Sequence, residues 1–123
     1  MKKILLIEDE SALQSALTKV LREEDYVVLS ALDGETGLML AKKELPSLIL
    51  LDLVLPKKSG FSLLGELRKI PATRDIPVFI LSNLEGSDNV EHALELGATT
   101  YLVKSNYQLE DIVSKIKDVL KDA

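Results

Sequence analysis

Asp52 stands where an apolar run, Leu48-Ile49-Leu50-Leu51, ends, and three other apolar runs also end in polar groups. Ile4 to Ile7 leads into Glu8 and Asp9, Val78 to Leu81 into Ser82 and Asn83, and Tyr101 to Val103 into Lys104. If the four runs are parallel neighbouring strands, three carboxylates, one hydroxyl and one ammonium converge on one crevice. Like charges about 5 Å apart repel by roughly 3 kcal/mol at an effective dielectric near 20, so three carboxylates together need compensation. Lys104 offers one positive charge, and a divalent cation offers two more. Mg²⁺ prefers oxygen ligands, keeps several waters and takes few protein groups, which matches a set as sparse as Glu8, Asp9 and Asp52. With that ion, the Lys104 ammonium and the Ser82 hydroxyl in place, the crevice can accept a phosphoryl group. Asp52 is then the natural nucleophile, because carboxylates form aspartyl phosphates.

Each residue also has a bland explanation. An aspartate at a strand end is commonly a turn former, and a Glu-Asp pair before a helix suits the helix dipole. The coincidence of these groups at four strand ends in one α/β pattern carries the functional reading.

Five strand-helix alternations would position the groups. Strands are expected at about Lys3 to Ile7, Tyr26 to Leu29, the run into Asp52, the run after Pro77, and Thr99 to Val103. An unbroken aliphatic run such as 48–51, bounded by Pro46 and Pro56, reads as a parallel strand buried on both faces. The first helix spans about Ser11 to Glu24, with Leu13, Ala16, Leu17, Val20 and Leu21 at three- and four-residue spacing. Asp33 is a plausible N-cap for a helix to about Lys43. A third helix spans Phe61 to Lys69, and a fourth runs from Ser87 to Leu96 and stops at Gly97. The last helix is expected to begin near Ser105 or Asn106 and reach Lys121, with Ser105 and Gln108 as a capping box. This order calls for a doubly wound parallel sheet with right-handed crossovers, whose ligands bind beyond the carboxyl ends of the strands.

The 123 residues suit one domain, 1–123, without internal repeat, low-complexity tract or linker. Hydrophobic residues make up 46% but aromatics only 4%, so the core must be aliphatic. A net charge of −5 argues against a broad nucleic-acid footprint. The absence of cysteine excludes a disulfide framework and thiolate chemistry. The apolar run at Ile4 to Ile7 is too short for a signal peptide or a membrane span, and a soluble, cytoplasmic protein is expected. His92, the sole histidine, reads as a solvated helix residue, and Lys57-Lys58 as a solvated loop.

Over essentially its whole length the chain resembles the receiver domains of two-component response regulators, and is similar to the chemotaxis-type single-domain regulators. The matching motifs are Ile-Glu-Asp-Glu at 7–10, Leu-Asp-Leu-Val-Leu-Pro-Lys-Lys-Ser-Gly at 51–60, Ile-Pro-Val-Phe-Ile-Leu-Ser at 76–82 and Gly-Ala-Thr-Thr-Tyr-Leu-Val-Lys at 97–104. The resemblance implies a flavodoxin-like (βα)5 three-layer sandwich with strand order 2-1-3-4-5. It implies a regulatory phosphoacceptor that is not an enzyme beyond its own Mg²⁺-dependent phosphorylation and dephosphorylation. Asp52 would take a phosphoryl group from a histidine kinase or histidine phosphotransfer protein. Mg²⁺ would be held by Asp9, Asp52 and the backbone carbonyl of Val54, with Glu8 acting mostly through water. Ser82 and Lys104 would contact the phosphoryl group, and Tyr101 would change rotamer with Ser82. The fourth helix, fifth strand and fifth helix would present the switched face to a downstream partner or a tethered effector domain. Neither direct nucleic-acid binding nor membrane insertion by this domain is implied.

The chain departs from the family pattern at Ser105, at Asn83 and in its acidic pair, Glu8-Asp9, a common variant of Asp-Asp. Ser105 replaces the usual proline after Lys104, which leaves the isomer of that peptide bond open; a cis bond before a non-proline residue costs roughly 2.5–4 kcal/mol. Asn83 replaces a small residue and would narrow access to Asp52 or add a donor. Val54 and Leu84, flanking the reactive group, offer no hydrogen bond to an attacking water, so a long-lived aspartyl phosphate is expected. Two other classes remain. A phosphatase of the haloacid dehalogenase type wants a second acid two residues after its nucleophile, and Val54 occupies that position. A receiver-like interaction module that works without phosphorylation is opposed by the intact set Glu8, Asp9, Asp52, Ser82 and Lys104.

Overall fold

The computed structural model describes residues 1–84 and 86–121. The elements alternate strictly: β1 (Lys3–Ile7), α1 (Ser11–Glu23), β2 (Val27–Ala31), α2 (Gly34–Glu44), β3 (Leu48–Leu51), α3 (Gly60–Lys69), β4 (Val78–Ser82), α4 (Ser87–Glu95), β5 (Thr100–Val103) and α5 (Leu109–Leu120). The strands form one parallel sheet in the order β2-β1-β3-β4-β5. The expected architecture and strand order are therefore those found.

Strand side chains alternate between faces, and each inner strand divides its aliphatic residues between two cores. Ile4 and Leu6 of β1, Leu48 and Leu50 of β3, and Phe79 and Leu81 of β4 pack with Leu17 and Leu21 of α1 and Ile112, Val113 and Ile116 of α5. Leu5, Ile7, Ile49, Leu51, Val78 and Ile80 face the other way, onto Ala41 of α2, Leu63, Leu64 and Leu67 of α3, and Ala93 of α4. Burying each such Leu or Ile contributes roughly 1.5–3 kcal/mol, so the sheet is fixed from both sides. A one-residue slip would exchange the two faces of a strand.

The helix starts are encoded locally. Asp33 accepts the Thr36 N–H at 2.8 Å at the head of α2, and Ser59 accepts the Ser62 N–H at 3.2 Å at the head of α3. Gly97 has φ 105, as a chain leaving α4 requires.

Three expectations need correction. β2 runs two residues further than expected, to Ala31, because its backbone stays in register with β1 as far as Ile7. Lys104–Asn106 form a short 3-10 turn, and α5 starts only at Leu109. Its capping box joins Gln108 to Asp111, not Ser105 to Gln108: the Gln108 N–H donates to the Asp111 carboxylate at 3.0 Å. Among the described residues no peptide bond is cis, so Lys104-Ser105 is trans. Among those residues, too, no helix is long and apolar enough to cross a membrane.

Candidate functional site

The strand order reverses between β1 and β3. From β1 the chain moves outward to β2, then crosses back to β3 on the other side. The crevice at such a switch point, beyond the carboxyl ends of the strands, is where open α/β sheets bind ligands. Glu8 and Asp9 leave β1 there, and Asp52 leaves β3 beside them. The Asp52 N–H donates to Ile7 O at 3.0 Å and the Glu8 N–H to Ala31 O at 3.0 Å, so sheet hydrogen bonding continues into the acidic ends. Strand parity then sorts the side chains. Glu8, Asp52 and Lys104 continue the even-numbered face of Leu6, Leu50 and Leu102, whereas Ser82 continues the opposite face of Val78 and Ile80.

Glu8, Asp9 and Asp52 each place a carboxylate oxygen within 4.8 Å of the others'. Glu8 is 2% and Asp52 6% exposed, while Asp9 lies open to solvent. Lys104 crosses from β5 to both buried acids. Its ammonium is 2.9 Å from Glu8 Oε2 and donates to Asp52 Oδ2 at 3.1 Å. The remaining oxygens meet backbone: the Glu10 N–H donates to Glu8 Oε1 at 3.0 Å, and the Val54 N–H to Asp52 Oδ1 at 3.2 Å. Burial pushes the Glu8 carboxyl above its ordinary pKa despite the Lys104 hydrogen bond. Burial alone would lower the Lys104 ammonium, but the hydrogen bonds and charges of Glu8 and Asp52 hold it above its ordinary value.

Gly60 fits this corner because it has no side chain. A Cβ there would sit 2.4 Å from Asp52 O and 2.5 Å from Leu53 Cα, while its N–H donates to Leu53 O at 2.9 Å. Ser82 is fully buried, and its hydroxyl accepts the Leu84 N–H at 3.3 Å. The Tyr101 hydroxyl donates to the carbonyl of the same residue, Leu84, at 2.6 Å. Tyr101 is half-buried in this position, and burial, with the nearby Asp52 charge, raises its phenol pKa.

Sequence reasoning missed two contributors. Glu10 places a carboxylate 3.8 Å from the Lys104 ammonium, and its signal was the third consecutive acid. Gln14 bridges the ends of β1 and β2, donating to Glu8 O at 3.0 Å and Ala31 O at 3.3 Å; only the fold reveals that. Lys58 is no freely solvated loop residue, since it pairs with Glu66 at 2.6 Å. His92 is exposed as expected and also stacks on Phe61, with ring centroids 4.6 Å apart.

A model of the response regulator receiver domain matches residues 4–117. The chain belongs to that family. The transcriptional regulatory protein CiaR of Streptococcus pneumoniae is 43% identical over 122 residues, covering 98% of this chain and 52% of CiaR. The Mn²⁺-bound form of the response regulator Rcp1 superposes with TM-score 0.87 at 32% identity, over 100% of this chain and 98% of that one. The receiver domain of the sensor histidine kinase PA1611 from Pseudomonas aeruginosa PAO1, with a magnesium ion coordinated in its active site cleft, superposes with TM-score 0.88 at 26% identity, over 98% of each. The chain spans about half the length of the first curated relatives it matches, 48–52%. Receiver domains are regulatory phosphoacceptor units of two-component systems, and this one carries their acidic pocket at Glu8, Asp9 and Asp52.

Proposed function

We propose that this receiver domain, one domain over 1–123, is a cytoplasmic switch of a two-component system that accepts a phosphoryl group on Asp52. The carrying observation is the Lys104 ammonium, 2.9 Å from Glu8 and 3.1 Å from Asp52, beside a third carboxylate from Asp9. Three acids offering hard oxygens within 4.8 Å fit a hexacoordinate divalent ion that keeps much of its water. Asp9, Asp52 and the Val54 carbonyl would hold Mg²⁺, with Glu8 bound through water, and the ion would neutralise charge on the incoming phosphoryl oxygens.

A carboxylate oxygen of Asp52 attacks the phosphorus of a phosphohistidine on a histidine kinase or phosphotransfer protein. The phosphorus–nitrogen bond breaks, and the imidazole leaves with the bonding pair and takes a proton. Lys104 stays beside Asp52 and meets the added negative charge. Ser82 turns its hydroxyl toward a phosphoryl oxygen, which disturbs its bond from the Leu84 N–H. Because Leu84 O also holds the Tyr101 hydroxyl, the change passes to Tyr101 and to the α4-β5-α5 face. That face would meet a downstream protein or a tethered effector domain, without direct nucleic-acid contact by this domain. The domain would catalyse only its own phosphorylation and dephosphorylation.

The test is intact-mass analysis after incubation with Mg²⁺ and acetyl phosphate, with Asp52→Ala in parallel. One added phosphoryl group, dependent on Mg²⁺ and absent from the variant, is expected. A folded, Mg²⁺-binding protein that takes no label would instead favour an interaction module independent of phosphorylation, with Asn83 and Ser105 as the first residues to exchange.

A further inference from the structure

Arg68, in the last turn of α3, directs its whole guanidinium at backbone. Nε and Nη2 donate to Gly97 O at 3.0 and 2.8 Å, and Nη1 donates to the carbonyls of Ile76 at 2.8 Å, Arg74 at 3.0 Å and Thr73 at 3.4 Å. One side chain thus ties α3, the segment entering β4 and the turn leaving α4. Charge-assisted hydrogen bonds of this kind are the stronger ones, and a planar fork spreads its donors across a width that the single nitrogen of a lysine does not span.

The contacts continue along one stripe of α3. Phe61, Gly65 and Arg68 lie four and three residues apart, so they share a helix face. Phe61 stacks on His92, a Cβ on Gly65 would lie 3.8 Å from Leu96 Cδ2, and Arg68 holds Gly97. All three partners lie in the C-terminal half of α4 or just past it. Beyond them the Ala98 N–H donates to Ala93 O at 3.0 Å and the Thr99 N–H to Val78 O at 2.8 Å. The other end of α4 is held differently. Gly86 supplies no side-chain cap, the first-turn bond from the Val90 N–H to Gly86 O is 3.3 Å, and Ser87 and Asp88 are exposed. Leu84, the residue bonded to both Ser82 and Tyr101, lies two positions before Gly86.

We propose that Arg68 is a positioning residue of the switch, a pin that holds the C-terminal end of α4 so that a change at Ser82 and Leu84 swings its N-terminal end. The inference rests on Asp52 being the phosphoacceptor only for the origin of the signal. The hydrogen bonds of Arg68 to Gly97, Ile76, Arg74 and Thr73 involve no group of the acidic crevice.

Amide hydrogen exchange of the full chain tests it, with and without Mg²⁺ and beryllium fluoride, a phosphoryl mimic. In the unliganded wild type, Gly97, Ala98 and Thr99 are expected to exchange at least ~10-fold more slowly than Val90. Adding the mimic should change exchange in the first turn of α4 and leave 97–99 within about 2-fold of its starting rate. Arg68→Lys should raise exchange at 97–99 by at least ~10-fold without ligand and spread the response to the mimic along all of α4. Gly97→Ala should do the same from the other side, because its Cβ would lie 2.8 Å from Arg68 Nε and φ is 105. Protection at 97–99 no greater than at Val90 in the wild type, or unchanged in a folded Arg68→Lys, overturns the pin. Should both variants fail to fold, the wild-type gradient decides. A wild type that ignores the mimic everywhere and takes no label on Asp52 sinks the phosphoacceptor reading instead, and the unliganded comparison still judges Arg68.

Discussion

Replacing Lys104 by methionine keeps an unbranched apolar stem and removes one charge from between two buried carboxylates. At about 3 Å and an effective dielectric near 20, each of its two ion pairs carries roughly 5.5 kcal/mol of gross attraction. Without it, Glu8 and Asp52 face each other within 4.8 Å, a repulsion of at least roughly 3.5 kcal/mol on the same scale. The protein has an escape, which is to protonate Glu8. Neutralising a carboxyl of ordinary pKa 4.5 costs about 1.4 kcal/mol per pH unit, hence roughly 3.4 kcal/mol at pH 7 and roughly 0.7 kcal/mol at pH 5. In the wild type Glu8 already lies above its ordinary pKa, because burial outweighs the Lys104 hydrogen bond. The folded state therefore holds this proton more tightly than the unfolded chain, and stability falls as pH rises through the folded value. Removing Lys104 raises that value further and steepens the fall. Lys104→Met is expected to lose about 2–3 kcal/mol at pH 7 and under about 1 kcal/mol at pH 5. Urea unfolding at the two pH values measures both, and millimolar Mg²⁺ should restore much of the loss at pH 7. An equal loss at pH 5 and pH 7 would refute the reasoning, since uncompensated carboxylate charge would be relieved at the lower pH.

Gly60→Ala places a Cβ 2.4 Å from Asp52 O and should cost about 2 kcal/mol or more; denaturant titration reads the loss, and Mg²⁺ affinity should fall with it. Lys57 is held at φ 67, so Lys57→Gly should gain about 0.5–1 kcal/mol after glycine's own entropy cost, visible as a Tm raised by about 2–4 °C. The family resemblance sets the side chains of Val54 and Leu84 beside the reactive group, and both are apolar, so Val54→Asn and Leu84→Glu should each shorten the aspartyl phosphate lifetime by about tenfold or more. Decay of a ³²P-labelled protein tests this, and an unchanged lifetime in both variants sinks it.

The cores were legible because each of the runs at 4–7, 48–51 and 78–81 is apolar at every position and only four residues long, which fits a strand covered on both faces better than a helix. The chemistry-bearing residues were legible for a related reason. A charge cannot sit inside those strands, so Glu8 and Asp52 mark the ends of β1 and β3, and Lys104 follows the apolar Leu102-Val103 that closes β5. The start of α5 was not legible, because Ser105 and Gln108 satisfy the capping-box spacing as well as Gln108 and Asp111 do. Backbone geometry at Lys104–Asn106, a 3-10 turn, decided between them.

Taken alone, the sequence determined which side chains stand at strand ends and which faces are apolar, because those follow from the local periodicity of 2 and 3.6 residues. Tertiary structure decided which of them meet. Lys104 reaches Asp52 across 52 residues of chain and Arg68 reaches Gly97 across 29. Such distances depend on the order in which strands pair and on how helices lie against the sheet. They are sums over the whole core, and no window of residues contains them.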